Sequence, residues 1–447
     1  MRINQIVGVA AALFPIAALA TDGYFSHGYG MKAKGMGGAS IAVAQDAFGG
    51  ANNPATMVFA GGQVALGVEL FSPHREAERT GGDAFGLSGS VESDSNYFGV
   101  PEFGYNHMLR PDLSLGITVY GNGGMNTDYP GGQLPSPGAC GPATGPGTGF
   151  NPAPGPYNLL CGNGRLGVDL SQLMIAPYVS WQFTPGHSIG VAPIIAYQRF
   201  KAEGLQAFDN PFLSTKPGSV TNRGYDDSTG LGVRVGYQGR FGDKFAVGVA
   251  YGSKVSMGEF DKYAGLFAEN GGFDIPASLT VGASFRPDDR WLIALDYQKI
   301  YYGDVAAVHN PSSRILNCFG GDAGACLGGS GGAGFGWQDI DVWKLGVQYK
   351  VNDAWTVRFG YNHTDNPIRA EDVTFNILAP GVMEDHYTVG ATWSIDKVSE
   401  LTGMAMVATR NDVQGASLFV PLGAPPTTSE TIGMKQFMLG IAYSRKF

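Results

Sequence analysis

Large apolar residues alternate with small or polar residues in short segments along most of the chain. Residues 231–238 are a clear case, because the odd positions carry Leu, Val or Tyr and the even positions carry Gly, Arg or Gln. The same alternation returns in segments that begin at Phe245, Trp291, Trp343 and Trp355. Successive side chains of a β-strand point to opposite faces, so each segment is predicted to be a strand with one apolar and one polar face.

The connectors between these segments indicate a transmembrane barrel rather than a soluble sandwich. Short connectors such as 184–186 and 351–353 alternate with long ones such as 122–164 and 304–335. Outer-membrane barrels have short periplasmic turns and long outer loops. The apolar faces also end in Trp, Tyr or Phe, as expected where a barrel wall meets the lipid headgroups. An open sheet edge cannot exist in lipid, so the sheet is expected to close.

We therefore expect an all-β fold, a transmembrane antiparallel β-barrel of about fourteen strands, since bacterial barrels have an even number. The expected strands are 62–79, 93–109, 113–121, 165–184, 188–202, 223–240, 244–258, 273–286, 290–303, 336–351, 355–366, 382–395, 399–411 and 433–447.

The N-terminal region divides into two parts that precede the barrel. Residues 1–20 are predicted to be a signal peptide, because Arg2 precedes an apolar stretch that ends in a small-residue cleavage site, Ala18-Leu19-Ala20. Residues 21–61 are rich in Gly and lack alternation, and a barrel of this size has room for a filling element. We expect them to form a hatch, or plug, inside a barrel formed by residues 62–447.

Composition excludes several other classes of protein. The formal net charge is -9 and no basic stripe is present, so nucleic acid is not an expected partner. No apolar run of about 20 residues follows the N-terminus, which argues against helical membrane spans. The seven histidines are scattered, so no nucleophile, base and orienting group are indicated in one place, and neither enzyme activity nor a cofactor is expected.

The four cysteines fall into two Gly/Pro-rich stretches. Cys140 and Cys161 lie in one, and Cys318 and Cys326 lie in the other. Because an exported chain enters an oxidising compartment, local disulfides within each stretch are the favoured interpretation. A metal site is the alternative, although no CxxC motif and no nearby histidine cluster supports it.

Several motifs resemble the FadL/TodX/OmpP1 family of outer-membrane transporters of fatty acids and other hydrophobic compounds. Near the N-terminus stand Gly35-Met36-Gly37-Gly38-Ala39, Asp46-Ala47 and Asn53-Pro54-Ala55. Further along stand residues 275–282, Arg290-Trp291, Tyr302-Gly303-Asp304, Trp337-Gln338-Asp339 and Phe359-Gly360-Tyr361. The resemblance covers essentially the whole chain after the signal peptide.

The resemblance implies a fourteen-stranded barrel with an N-terminal hatch and a passive transport path. Ligand would be captured between outer loops, pass to a pocket near the start of the hatch, and leave sideways through a gap in the wall. In the family this gap accompanies an inward kink of the third strand. Here Gly121, Gly123 and Gly124 would permit such a kink, and the start of a long loop is the alternative.

Candidate site residues follow from this scheme. Tyr24 and Phe25 are candidates for a gate, with packing in the lumen as the alternative, and Asn53, Pro54 and Ala55 are expected to shape the hatch. Exposed apolar clusters in loops commonly bind ligands, and packing between loops is the alternative here. The capture candidates are Leu205, Phe208, Phe212, Leu213, Leu266 and Phe267.

A fatty-acid carboxylate would need a cation in the lumen. Alternation places Arg234, Lys344 and Arg358 on the inward face. The alternative is that these cations belong to an ion-pair network with residues such as Asp296. The sequence does not distinguish long-chain fatty acids, which are the favoured substrate, from aromatic hydrocarbons or alkanes. A structural or adhesive surface barrel that binds a partner through its loops is the alternative function.

The last strand indicates the membrane and the route of assembly. Phe437, Leu439, Ile441 and Tyr443 share one face and the chain ends at Phe447. A terminal Phe on an alternating strand resembles the signal read by the barrel assembly machinery of the Gram-negative outer membrane. Outer-membrane lipid is thus an expected partner, and we expect a monomer.

Overall fold

The computed structural model describes residues 22–135, 139–141, 151 and 153–447. The expected signal peptide lies outside the described residues. Within them, sixteen strands form one antiparallel sheet. The strands are β1 (Gln63–Thr80), β2 (Gly89–Glu92), β3 (Phe98–Arg110), β4 (Leu113–Tyr129), β5 (Leu166–Thr184), β6 (His187–Glu203), β7 (Asp226–Phe241), β8 (Phe245–Gly252), β9 (Ser256–Met257), β10 (Ser278–Phe285), β11 (Trp291–Ile300), β12 (Ile340–Lys350), β13 (Trp355–Thr364), β14 (Asp385–Ser394), β15 (Ser399–Ala416) and β16 (Ser429–Lys446).

The sheet closes because its first and last strands pair along their whole length. The register of β1 with β16 runs from Gln63 opposite Lys446 to Thr80 opposite Ser429. Among the described strands, β2 and β9 are short additions that pair with β1 and β7, and the other fourteen form the wall. The predicted fourteen-stranded antiparallel barrel is therefore confirmed, with backbone groups paired around the wall as lipid requires.

The two faces of the wall differ as the alternation predicts. On β1, Leu66 and Leu70 are exposed on the outside, whereas Glu69 between them is buried on the inside. Aromatic pairs line the outer face, such as Trp291 with Tyr349, whose ring centroids lie 4.5 Å apart. In the described part of the chain, no helix has the length and hydrophobicity to span a membrane.

The helices are short and lie in the hatch and the loops. Those of the described residues are the α-helices Met31–Lys34, Gly49–Asn52, Ala268–Gly271, Ala306–His309, Arg314–Phe319 and Val373–Asn376, and the 3₁₀ helices Pro54–Phe59, Asp83–Phe85, Gln206–Phe208, Asp261–Tyr263, Tyr302–Asp304, Ala323–Ala325 and Ala370–Asp372.

Residues 22–61 lie inside the barrel, and we refer to them as the hatch. Glycines of the wall let the hatch backbone approach closely. A Cβ on Gly248 would overlap the carbonyl oxygen of Ile41, and a Cβ on Gly360 would overlap the amide nitrogen of Gly37. Glycine is therefore needed at these two positions of the wall, since any larger side chain would push the hatch away from the wall.

The expected end of the third strand at residue 121 was wrong. β4 continues to Tyr129, because one extra residue, Asn122, is accommodated as a bulge between Gly121 and Gly123 before pairing with β5 resumes. Other strands begin or end a few residues from the expected positions. β10, for example, begins at Ser278 rather than 273, and β16 begins at Ser429 rather than 433.

Both loop stretches that carry cysteines contain a disulfide. Cys140 pairs with Cys161, with 5.0 Å between Cα atoms. Cys318 pairs with Cys326, with 4.8 Å between Cα atoms. Each bridge closes a local loop on the side of the barrel with the long connectors.

Candidate functional site

The start of the hatch lies in a cluster of aromatic side chains. Tyr24 is completely buried. Its ring centroid lies 5.2 Å from that of Tyr302, 5.8 Å from that of Trp337 and 6.3 Å from that of Phe273. These three partners come from the segments around β10, β11 and β12, so the cluster joins the hatch to the outer loops.

Hydrogen bonds hold the aromatic cluster in place. The amide N–H of Tyr24 donates to the Tyr302 hydroxyl at 3.1 Å, and that hydroxyl donates to the Asp22 carbonyl at 2.7 Å. The indole N–H of Trp337 donates to the Asn376 side chain at 2.6 Å. The Tyr302 hydroxyl and the Trp337 indole N–H are thereby satisfied, as is usual for the polar groups of buried aromatic side chains.

The bulge in β4 is bound to the hatch. The amide N–H of Ser26 donates to the carbonyl of Asn122 at 2.9 Å, and that of Gly124 donates to the carbonyl of Tyr24 at 3.2 Å. Phe25 and Gly123 form an isolated antiparallel bridge. The two predicted features, the gate candidates and the glycines of the third long strand, are thus in direct contact.

β4 separates from its neighbour β3 three residues before the bulge. Their ladder runs from Arg110 opposite Leu113 to Phe103 opposite Val119, and within the described residues it has no further pair. Residues 98–102 of β3 continue to pair with β1. The wall therefore has an unpaired seam between β3 and β4 at the level of the bulge.

A narrow cavity lies beside this seam, and we call it the seam cavity. Its volume is about 30 Å³. Its lining includes residues of the hatch, of the strands at the seam and of the outer loops. The lining residues are Tyr24, Phe71, Pro73, Arg75, Phe98, Gly124, Met125, Asn126, Trp337, Ala379, Pro380, Gly381 and Met434.

A second cavity lies among the outer loops, and we call it the loop cavity. Its volume is about 40 Å³, and apolar side chains dominate its lining. Four of the predicted capture residues line it, namely Leu205, Phe208, Leu266 and Phe267. The ring of Phe267 lies 4.9 Å from Phe273, which contacts Tyr24, so aromatic rings connect the loop cavity to the start of the hatch.

The other two capture candidates lie elsewhere. Phe212 is 75% exposed on the loop surface. Leu213 is buried and lines a smaller apolar pocket with Ile315 and Phe419. Phe208 lines both pockets. The sequence pattern identified apolar loop residues, but it could not tell which of them face a common cavity.

The three predicted lumen cations are engaged by the hatch or the wall. Arg234 donates to the Ala51 carbonyl and, at 3.2 Å, to the Tyr120 hydroxyl. Lys344 donates to the carbonyl of His27 at 2.9 Å. Arg358 donates to Thr392 at 2.6 Å. None of the three lines the seam cavity.

Burial also affects the hatch histidine that lies beside Lys344. His27 is completely buried. This burial lowers the pKa of its imidazole, and the positive charges of Lys34, a protonated His386 and Lys344 lower it further. The ring of His27 stacks at 6.3 Å on that of His386. His27 is thus neutral at physiological pH and acts as a packing element rather than as a charge.

The Asn-Pro-Ala motif fastens the end of the hatch to the wall. The Asn53 amide donates to the carbonyls of Ile41 at 2.8 Å and Tyr237 at 3.0 Å, while its oxygen accepts from the Ala55 N–H at 3.0 Å. Pro54 begins a 3₁₀ helix, where a proline needs no hydrogen-bond donor. The carbonyl of Ala55 accepts from Ser188 at 2.7 Å.

A buried ion triad ties the hatch to the wall below the seam. The Lys34 ammonium lies 2.5 Å from Glu69 on β1 and 2.6 Å from Glu102 on β3. Burial lowers the pKa of Lys34, but the two carboxylates outweigh burial and raise the pKa above its ordinary value. Glu102 also accepts from the Gly30 N–H at 3.1 Å.

Several site residues were missed from the sequence. Tyr302, Trp337 and Phe273 come from loops, which have no periodicity that would show where a side chain points. Arg75 could have been found, because the alternation of β1 places it on the inward face like Glu69 and Phe71. Across the described residues, no group of three His, Cys, Asp or Glu side chains is arranged to hold a metal ion.

Comparisons with known proteins agree with this architecture. A family model described as outer membrane protein transport protein (OMPP1/FadL/TodX) matches residues 162–414. The fold matches the P. putida toluene transporter TodX with a TM-score of 0.65 at 20% identity, covering 94% of this chain and 99% of that one. A comparison with curated proteins gives no match.

Two further solved structures share the fold. The Ralstonia pickettii toluene transporter TbuX gives a TM-score of 0.61 at 16% identity, with 94% of this chain and 99% of that one covered. A Pseudomonas aeruginosa FadL homologue gives 0.63 at 14% identity, with 95% and 100% covered. Because the family model spans more than half of the chain, the chain belongs to the OMPP1/FadL/TodX family, and it is an outer-membrane channel for hydrophobic compounds rather than an enzyme.

Proposed function

We propose that this channel takes up hydrophobic compounds, with long-chain fatty acids as the main substrate, by passive capture, gated passage and lateral exit. One observation carries the proposal: the packed rings of Phe267, Phe273 and Tyr24 connect the loop cavity to the seam cavity, where hatch residues Tyr24 and Ser26 are hydrogen-bonded to the bulge of β4. Transporters of toluene share the fold, so aromatic hydrocarbons are the competing substrates.

Capture relies on the apolar lining of the loop cavity. Burying an alkyl chain contributes about 0.8 kcal/mol per CH₂, so a chain of about twelve carbons gains roughly 9 kcal/mol gross. The polar sugar layer outside the membrane offers no such surface. Leu205 and Phe267 supply it, since both are buried among loop residues and line the cavity.

Passage requires a small movement at the start of the hatch. Few backbone hydrogen bonds join residues 22–26 to the bulge of β4, whereas the remainder of the hatch is fastened by Asn53 and by the Lys34 triad. The segments of a protein that open locally are those with the lowest local stability. We infer that Tyr24 and Phe25 swing away while residues 30–61 stay in place.

Exit follows the seam between β3 and β4. Phe98 and Met125, from the two strands that separate there, both line the seam cavity. A ligand in this cavity can reach the lipid without crossing the polar lumen below, which contains Arg234, Asp296 and Lys344. Lateral exit therefore avoids the desolvation cost that a polar lumen imposes on an apolar solute.

Deletion of Asn122 tests the proposal. The bulge lies in the β4–β5 ladder next to the seam, so its deletion should straighten β4 and let it pair with β3 beyond Val119. Uptake of radiolabelled dodecanoate and toluene by cells should then fall to the level of a channel-deletion strain. Deletion of Gly423, which lies in an open loop with no neighbour near its Cβ position, serves as the control. Full uptake by a correctly folded Asn122 deletion would refute lateral exit.

A further inference from the structure

Arg75 is a buried cation at the border of the seam cavity. It lies on the inward face of β1, is only 3% exposed, and lines the cavity together with Tyr24 and Trp337. Its guanidinium carbon lies 5.7 Å from the centre of the Phe98 ring. A positive charge therefore stands at one end of an otherwise apolar chamber.

The hydrogen-bond partners of Arg75 are all neutral. Its terminal nitrogens donate to the Pro73 carbonyl at 2.9 Å, to the Ser93 hydroxyl at 2.8 Å, to the Ser95 carbonyl, and to Asn126 at 3.4 Å. The Nε–H is buried without a hydrogen-bond partner. Arg75 takes part in none of the ion pairs formed among the described residues.

The neighbouring inward arginine shows the contrast. Arg79, four residues along the same strand, lies 2.6 Å from the Glu430 carboxylate, and both side chains are fully buried. A buried guanidinium is costly unless an anion compensates its charge. Among the described residues, Glu430 supplies that anion to Arg79, and no carboxylate forms an ion pair with Arg75.

We propose that Arg75 binds the carboxylate of an organic acid whose apolar tail lies in the seam cavity, so that this channel prefers organic acids to neutral hydrocarbons. The guanidinium is planar and binds a carboxylate through paired hydrogen bonds, and its Nε–H is free for one of them. Phe71, Phe98 and Trp337 provide apolar surface for the tail once Tyr24, which also lines the cavity, has swung away as the proposed gating requires. The inference rests on the proposed function, since it assigns the substrate class of the same path.

The test compares two ligands that differ in their head group. Binding of dodecanoate and of dodecanol to purified, detergent-solubilised channel is measured by titration calorimetry at pH 7.5. The native channel should bind dodecanoate at least tenfold more tightly than dodecanol. In Arg75→Gln this ratio should fall below threefold, while in Arg75→Lys part of the preference should remain because the charge remains.

The control variant is Arg240→Gln, since Arg240 lies at the opposite end of the lumen against Phe59. It should keep the native ratio. A second readout is the pH profile: the preference of the native channel should disappear below about pH 4.5, where the ligand carboxylate is protonated. A role of Arg75 limited to holding the Ser93–Ser95 segment would not produce this profile.

The outcomes separate this inference from the proposed function. If dodecanol binds the native channel as tightly as dodecanoate, or if folded Arg75→Gln keeps the native ratio, the inference is overturned while hydrophobic uptake stands. If neither ligand binds the native channel, the proposed function itself fails. Heat-modified electrophoretic mobility of each variant shows whether its barrel has folded.

Discussion

The carbonyl of Asn122, the bulged residue of β4, accepts a hydrogen bond from the amide of Ser26 in the hatch at 2.9 Å. The Asn122 side chain also forms two hydrogen bonds. Its oxygen accepts from the Tyr29 hydroxyl at 2.8 Å, and its nitrogen donates to the Gln172 side chain at 3.0 Å. The bulged residue of the wall therefore also holds the start of the hatch against the wall, which couples the seam to the start of the hatch.

Replacing the Asn122 side chain should loosen this coupling without removing the bulge. Asn122→Ala leaves the Tyr29 hydroxyl and Gln172 without their partner, at a cost of about 1–3 kcal/mol. We expect faster uptake at low substrate concentration and larger current fluctuations in planar bilayers. The control is Asn411→Ala, which removes a hydrogen bond to the Val382 carbonyl away from the hatch. Identical bilayer recordings for Asn122→Ala and the native channel would contradict the coupling.

The close approach of hatch and wall predicts that a larger side chain at the contact will open the lumen. Gly248→Val should displace Ile41 from the wall and open the lumen, because a Cβ at this position overlaps the Ile41 carbonyl oxygen. Cells that carry the variant should become sensitive to large antibiotics such as vancomycin. Gly403→Val is the matched control, since Gly403 faces outward and has ample space at its Cβ position. Unchanged sensitivity in Gly248→Val would argue against a tightly seated hatch.

The buried ion triad gives a prediction about stability. Lys34→Met removes the cation and leaves Glu69 and Glu102 buried side by side, which should destabilise the folded channel by about 3–5 kcal/mol. Changing both carboxylates to Gln in the same protein should restore most of this loss. Urea unfolding followed by electrophoretic mobility measures both effects.

The raised pKa of Lys34 sets the pH range in which the triad contributes. A cation whose pKa is raised on folding adds its full share to the free energy of unfolding below its unfolded pKa, near 10.5. This stabilisation is lost as the pH rises through the higher pKa of the folded state. The difference in stability between the native channel and Lys34→Met should therefore not decrease between pH 7 and 10. A difference that shrinks within that range would contradict the assignment.

The sequence predicted the wall better than the site. Period-two alternation reports which face a strand residue occupies, so inward residues such as Lys344 and outward residues such as Trp343 were assigned correctly. The sequence could not show that the Lys344 ammonium donates a hydrogen bond to the His27 carbonyl of the hatch, because that contact joins residues 317 positions apart. Trp337 was also inaccessible to pattern analysis, since its orientation depends on the packing of several loops.

Two phenylalanines of one loop provide the last prediction. Phe208 lines the loop cavity and stacks edge-on against Phe375 with 5.6 Å between ring centroids, whereas Phe212 is 75% exposed and lines neither apolar loop pocket. Phe208→Asp should raise the substrate concentration for half-maximal uptake at least tenfold, because a carboxylate in the cavity repels apolar and anionic ligands alike. Phe212→Asp should change it less than threefold. Equal effects of the two substitutions would mean that capture depends on the exposed loop surface and not on the cavity.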